Sequence, residues 1–149
     1  MRVKMKRIPP RKAAAYILLA AAACALLVIL QTRGGVLSAH YNVTTTQGRV
    51  EYLAALGWIV DGATETLQSV VLPRTFDPVF SDYNDLQRSQ GFDLRPYAGL
   101  ECTVCTYFVT DYEAASPVVA VLYLYRNRVI AGDIHTTAMD GFMHGIRVE

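Results

Sequence analysis

One stretch of the chain has no polar side at all. Residues 13–30, AAAYILLAAAACALLVIL, are 18 consecutive uncharged, mostly aliphatic positions. As a helix rising about 1.5 Å per residue they would be roughly 27 Å long, close to the thickness of a bilayer's hydrocarbon core. A helix buried in a globular core normally keeps a polar stripe, so this run predicts a transmembrane segment. Pro9 and Pro10 keep a helix from extending backwards over residues 1–12. After a juxtamembrane tether at 31–43, the pattern changes to short amphipathic periods over 44–149, the length of one small domain.

Within that domain the order of predicted elements is α-β-α-β-β-β. Thr45 or Thr46 can cap a helix that places Val50, Leu53, Ala54 and Leu56 on one side, with Gly57 as its stop. Trp58 and Ile59 are expected to pack back on that helix. Thr66 to Leu72 alternates as a strand and ends at Pro73. Asp77-Pro78 starts a second helix, carrying Val79, Phe80, Tyr83 and Leu86 and closed by Gly91. Three strand-like runs follow. Glu101–Tyr112 is rich in Thr, Val and aromatic residues, and Pro117–Tyr125 is apolar enough for a central strand covered on both faces. Arg128–Thr136 is joined to it by a tight turn at Arg126-Asn127. This predicts an α+β domain with an antiparallel sheet of about four strands and two helices on one face.

Charge adds orientation. The net charge of +1 conceals six basic residues and no acid in residues 1–12, and an acidic remainder in which every basic residue is an arginine. Only Arg33 follows the apolar run closely, so the basic arm is expected in the cytoplasm and the domain outside, with the lipid bilayer as partner for residues 13–30. The length of the run and the poor small-residue site at 34–39 favour an uncleaved anchor over a secretory signal. Six apolar residues after Cys24 argue against lipid modification there. An acidic domain without a basic patch excludes nucleic acid as an expected partner. No glycine-rich phosphate loop occurs and no lysine follows Lys12, which excludes a nucleotide and leaves no pattern for a cofactor.

Three places carry candidate chemistry. Cys102-Thr-Val-Cys105 is a CxxC, but in a strand positions i and i+3 point to opposite faces. Half-buried thiols are the expectation; a disulfide, or a redox or metal pair, are the alternatives. Asp133, His135, Asp140 and His144 form a loose cluster near the C-terminus. Asp133 would then satisfy a turn or backbone group and His144 a terminal loop. The alternatives are a divalent metal site or an acid/base pair of a hydrolase. No serine sits in a Gly-x-Ser-x-Gly setting, and no other catalytic set accompanies them. Asp140 to Gly145 either tucks Phe142 and Met143 into the core or presents Asp140, Phe142, Met143 and His144 as a contact surface. Tyrosines at 83, 97, 107, 112, 123 and 125 pose the same choice.

The runs Leu56-Gly57-Trp58, Tyr83-Asn-Asp-Leu-Gln-Arg-Ser-Gln-Gly-Phe-Asp-Leu94, Tyr97-Ala98-Gly99, Tyr107-Phe108-Val109-Thr110 and Asp140-Gly-Phe-Met-His-Gly145 resemble a family of small, membrane-anchored Gram-positive bacterial proteins known only as a domain of unknown function. The resemblance implies one N-terminal membrane segment and an outer domain of this size. It implies no activity, cofactor or catalytic residue. Cys102 and Cys105 stand where the family leads one to expect basic and polar residues. The function expected is binding of an extracytoplasmic protein, peptide or envelope ligand, and the alternative is a metal-dependent module or hydrolase built on the Asp/His cluster.

Overall fold

The computed structural model describes residues 41–147; the basic arm, the apolar run 13–30 and the tether up to residue 40 lie outside the described residues. Among the described residues no helix is long and apolar enough to cross a membrane. The elements are α1 (Thr46–Ala55), β1 (Thr66–Val71), α2 (Pro78–Ser89), β2 (Glu101–Phe108), β3 (Val118–Tyr125), β4 (Arg128–Thr136) and β5 (Met143–Gly145). Single 3-10 turns occupy Gly62–Thr64 and Arg95–Tyr97. The fold is α+β, with one antiparallel sheet in the order β1-β2-β3-β4-β5.

Local chemistry sets the helix ends. The Thr45 hydroxyl accepts from the Gly48 N–H at 3.1 Å, and the Asp77 carboxylate accepts from the Phe80 N–H at 2.7 Å, with Pro78 in the first turn. Both bonds satisfy amides that have no partner inside a helix. After α1 the chain reverses through Gly57 at φ 95°, where a side chain would be strained. β3 and β4 are joined at Arg126-Asn127, with Arg126 at φ 53° and its guanidinium over the Tyr125 ring.

Four features differ from the sequence expectation. The sheet has five strands rather than about four, because the Asp140–Gly145 segment contributes β5, paired with Asp133–His135 of β4. A three-residue strand between glycines is too short to show alternation. The strand expected over Glu101–Tyr112 ends at Phe108, after which Val109 makes an isolated bridge with Val60. The two helices do not share a face. Tyr52 and Leu53 of α1 pack with Cys105, Tyr107, Ala120, Leu122 and Ile134, whereas Phe80 and Tyr83 of α2 pack with Cys102, Tyr123 and Ala131. Leu122 and Tyr123 are consecutive on β3, so these clusters lie on opposite sides of the sheet. Alternation within strands specifies two faces but not which one a connecting helix crosses to. Packing also begins earlier than Thr44, since Val43 is buried in the α1-side cluster.

β4 is the most irregular strand and positions most of the candidate chemistry. Tyr123 pairs with Ala131 but Leu124 pairs with Val129, so Ile130 is an extra, bulged residue. At Gly132, just beyond β5, two glutamines of the second helical segment replace a neighbouring strand. Gln87 Oε1 accepts from the Gly132 N–H at 2.9 Å and Gln90 Nε2 donates to the Gly132 carbonyl at 2.7 Å. A Cβ on Gly132 would lie 2.7 Å from Ile146 Cδ1 and 2.8 Å from the Val121 carbonyl oxygen, which leaves room only for glycine.

Candidate functional site

Asp133 and His135 project from the same side of β4, as their i, i+2 spacing requires. Asp133 is 2% exposed. Its carboxylate accepts from the Tyr83 hydroxyl at 2.6 Å and meets His135 Nδ1 at 2.6 Å. The bond to Asp133 holds the His135 imidazole above its ordinary pKa, against the opposing effect of burial. Burial and the adjacent Asp133 charge push the Tyr83 phenol far up, so it stays a donor. His144 pairs with Ile134, so its ring points to the other face of the sheet, and Asp140 stays exposed in the preceding loop. The four residues are therefore not brought together. Among the described residues no three His, Cys, Asp or Glu side chains are placed to hold a metal. Nor does any hydroxyl or thiol among them hydrogen-bond His135, which leaves an Asp–His couple without a nucleophile.

Cys102 and Cys105 lie in the two different core clusters, on opposite sheet faces. Both are buried and free. Burial raises both thiols, Cys105 to about 11, so they are held protonated, the unreactive form for exchange or ligation.

His144 instead joins a set of rings. It stacks on Phe142 with centroids 5.3 Å apart and planes 6° from parallel, and lies 5.5 Å from Trp58. Tyr112 completes the set, 5.2 Å from Phe142 and 6.2 Å from Trp58. Trp58, Tyr112, His144, Gly145 and Arg147 line an open, mainly apolar pocket of about 440 Å³. Some polar groups of its lining are already committed. Trp58 Nε1 donates to the Ile146 carbonyl at 2.7 Å and His144 Nδ1 lies 2.9 Å from the Gly145 carbonyl. Arg147 donates to the Gln90 carbonyl at 2.7 Å, and its guanidinium sits 4.4 Å over the Phe92 ring. These bonds fix Trp58, His144 and Arg147 around the pocket, whose mainly apolar lining is suited to apolar or flat groups.

The groove divides the Asp140–Gly145 candidates. Phe142 is half-buried against the core, His144 lines the pocket, and Met143 is half-exposed on the opposite side of β5. Of the tyrosines, Tyr112 reaches the groove; Tyr107 is a buried donor and Tyr83 a partly buried one. Trp58 and Arg147 are groove residues that the sequence reading did not single out. The one available sign was that Trp58 is the only tryptophan.

A second polar cluster also escaped sequence reasoning. Arg49 Nη2 meets Glu65 at 2.6 Å and its Nη1 donates to the Val43 carbonyl at 2.9 Å. Tyr107 donates to the same Glu65 oxygen, and Thr46 donates to the other at 2.7 Å. Burial alone would raise the Glu65 carboxyl, but these donors hold it below the usual carboxylate range.

No curated protein and no solved structure matches the chain. A family match covers residues 52–134, which takes in Trp58, Tyr112 and Asp133 and stops before His135, Phe142, His144 and Arg147. That family is the domain of unknown function DUF4830, and this chain belongs to it.

Proposed function

We propose that the chain is a single-pass membrane protein, N-terminus in the cytoplasm, whose outer domain binds an envelope component in the aromatic groove. The anchor rests on the 18 apolar residues at 13–30 and the six basic residues before them. The binding role rests on one observation: Trp58, Tyr112 and His144 come from three separate parts of the chain to line one open pocket, with Phe142 stacked behind His144. Rings gathered only to fill a core would be sealed over, whereas Tyr112 is 39% exposed. Among the described residues the Asp133–His135 couple has no third ligand or nucleophile beside it, so binding accounts for the geometry better than catalysis.

Trp58 provides the test, because its fluorescence reports the groove alone. Glycan chains, stem peptides and intact muropeptides from the cell wall are titrated into the full-length protein in detergent. One class is expected to give a saturable change in Trp58 emission. Tyr112→Ala, at a half-exposed position, should weaken that titration about tenfold, the loss of one aromatic contact. No saturable change with any of the three, or a change untouched by Tyr112→Ala, overturns the reading.

A further inference from the structure

The other end of the sheet poses a separate question. β1 is an outermost strand, six residues long, with the sequence Thr-Leu-Gln-Ser-Val-Val and no charge, proline or bulge. Exposed edges of that kind are templates for another strand, and soluble proteins usually blunt them with lysine, proline or a bulge. Which backbone groups are free follows from the register. Leu72 N–H donates to the Leu100 carbonyl and the Leu72 carbonyl accepts from Gly99, so the even-numbered positions of this segment turn toward β2. In an antiparallel ladder the alternate positions then turn away, which leaves Leu67, Ser69 and Val71 with outward N–H and C=O groups. The same three residues share a sheet face, because Leu67 pairs with Cys105 on the α1 side. Leu67 is 58% and Val71 64% exposed there.

We infer that β1 pairs with β1 of a second copy of this chain, antiparallel, about a twofold axis through Ser69. That register sets Leu67 against Val71 of the second copy, Ser69 against Ser69, and Val71 against Leu67. Every outward residue meets an outward residue, and the two exposed aliphatic side chains cover each other on one face. Moving the axis to Gln68 sets Val71 against Glu65, which is committed to Arg49. Moving it to Val70 sets Leu67 against Pro73, which has no N–H to give. A six-residue edge buries well under the about 800 Å² per partner of a permanent interface, so the pair is reversible and concentration-dependent. The inference rests on β1 alone and stands whether or not the aromatic groove binds a ligand.

The test is zero-length oxidation of the full-length protein carrying Cys24→Ala, purified in mild detergent. Ser69→Cys places two thiols on residues about 5.5 Å apart at their Cα atoms, within disulfide range. Gln68→Cys places its pair on a diagonal beyond about 7 Å, out of range. The expected result is a covalent dimer with Ser69→Cys and none above the Cys24→Ala parent with Gln68→Cys. Adding Val71→Lys to Ser69→Cys should cut the dimer yield about tenfold without lowering the melting temperature, since Val71 is exposed. Absence of the Ser69→Cys dimer, equal dimer from Gln68→Cys, or a dimer indifferent to Val71→Lys overturns the inference.

Discussion

The two faces of the sheet each carry a tyrosine that donates to a carboxylate, fully buried on the α1 face and partly buried on the α2 face, and they differ in the third member. On the α1 face Tyr107 and Arg49 share Glu65; on the α2 face Tyr83 and His135 share Asp133. Arginine keeps its charge at any pH the protein meets, so the first cluster is a fixed strut tying α1 to the sheet. Histidine changes charge near neutrality, so the second cluster, in which Tyr83 joins α2 to Asp133 of β4, has a member whose charge depends on pH. The same donor–acceptor plan gives one permanent joint and one adjustable joint.

Glu65→Ala should have the largest effect. It leaves the Arg49 guanidinium, with a side chain only 6% exposed, facing Val43 and Tyr107 without its counter-charge. Breaking a pair of this kind costs about 3–5 kcal/mol, read as a lower midpoint in urea unfolding. Arg49→Met combined with Glu65→Leu should cost much less, because no stranded charge remains. If the double variant is as unstable as Glu65→Ala, the strut acts through its geometry and the charge argument fails.

Tyr83→Phe should come next. It removes one of the two donors to a carboxylate that is 2% exposed, a loss of about 1–3 kcal/mol by the same measurement. A change within error would mean that water or another donor serves Asp133 as well as Tyr83 does.

The smallest effect separates the joints by pH. The His135 pKa lies above its ordinary value of 6.5, so its contribution is complete below 6.5 and fades as pH rises through the raised value. The Glu65 pKa lies below its ordinary value of 4.5, so its contribution is complete above 4.5 and fades as pH falls through the lowered value. The melting temperature should therefore be highest between pH 4.5 and 6.5 and slope downward on both sides. His135→Gln should flatten the alkaline slope and leave the acid one. An alkaline slope that survives His135→Gln would assign it to a different group.

These joints also mark how far the sequence could be read. Helix limits were legible because a cap is local: Thr45, Gly57 and Asp77-Pro78 act on residues within one turn of themselves. The strand character of Pro117–Tyr125 was legible from its unbroken apolar run, and β3 does lie in the middle of the sheet. Arg49 and Glu65 are 16 residues apart and Arg49 and Tyr107 are 58 apart, and no periodicity links them. The groove failed for the same reason, since Trp58 meets its own hydrogen-bond acceptor 88 residues later. The Asp/His cluster shows the converse. Asp133, His135 and His144 are near in sequence, but the pairing of β4 with β5 turns His144 to the far face.

The glutamine amides on Gly132 bear on assembly. They occupy the N–H and C=O that a longer β5 would have extended along, and β5 itself offers only three residues to any newcomer. Of the sheet's two ends, β5 is a three-residue strand and the other, at β1, is a full strand. For the pairing inferred at β1, the glutamines that pack the second helix on β4 thus take up the groups along which β5 would have lengthened, and the sheet's far end keeps only a three-residue strand to offer a further copy.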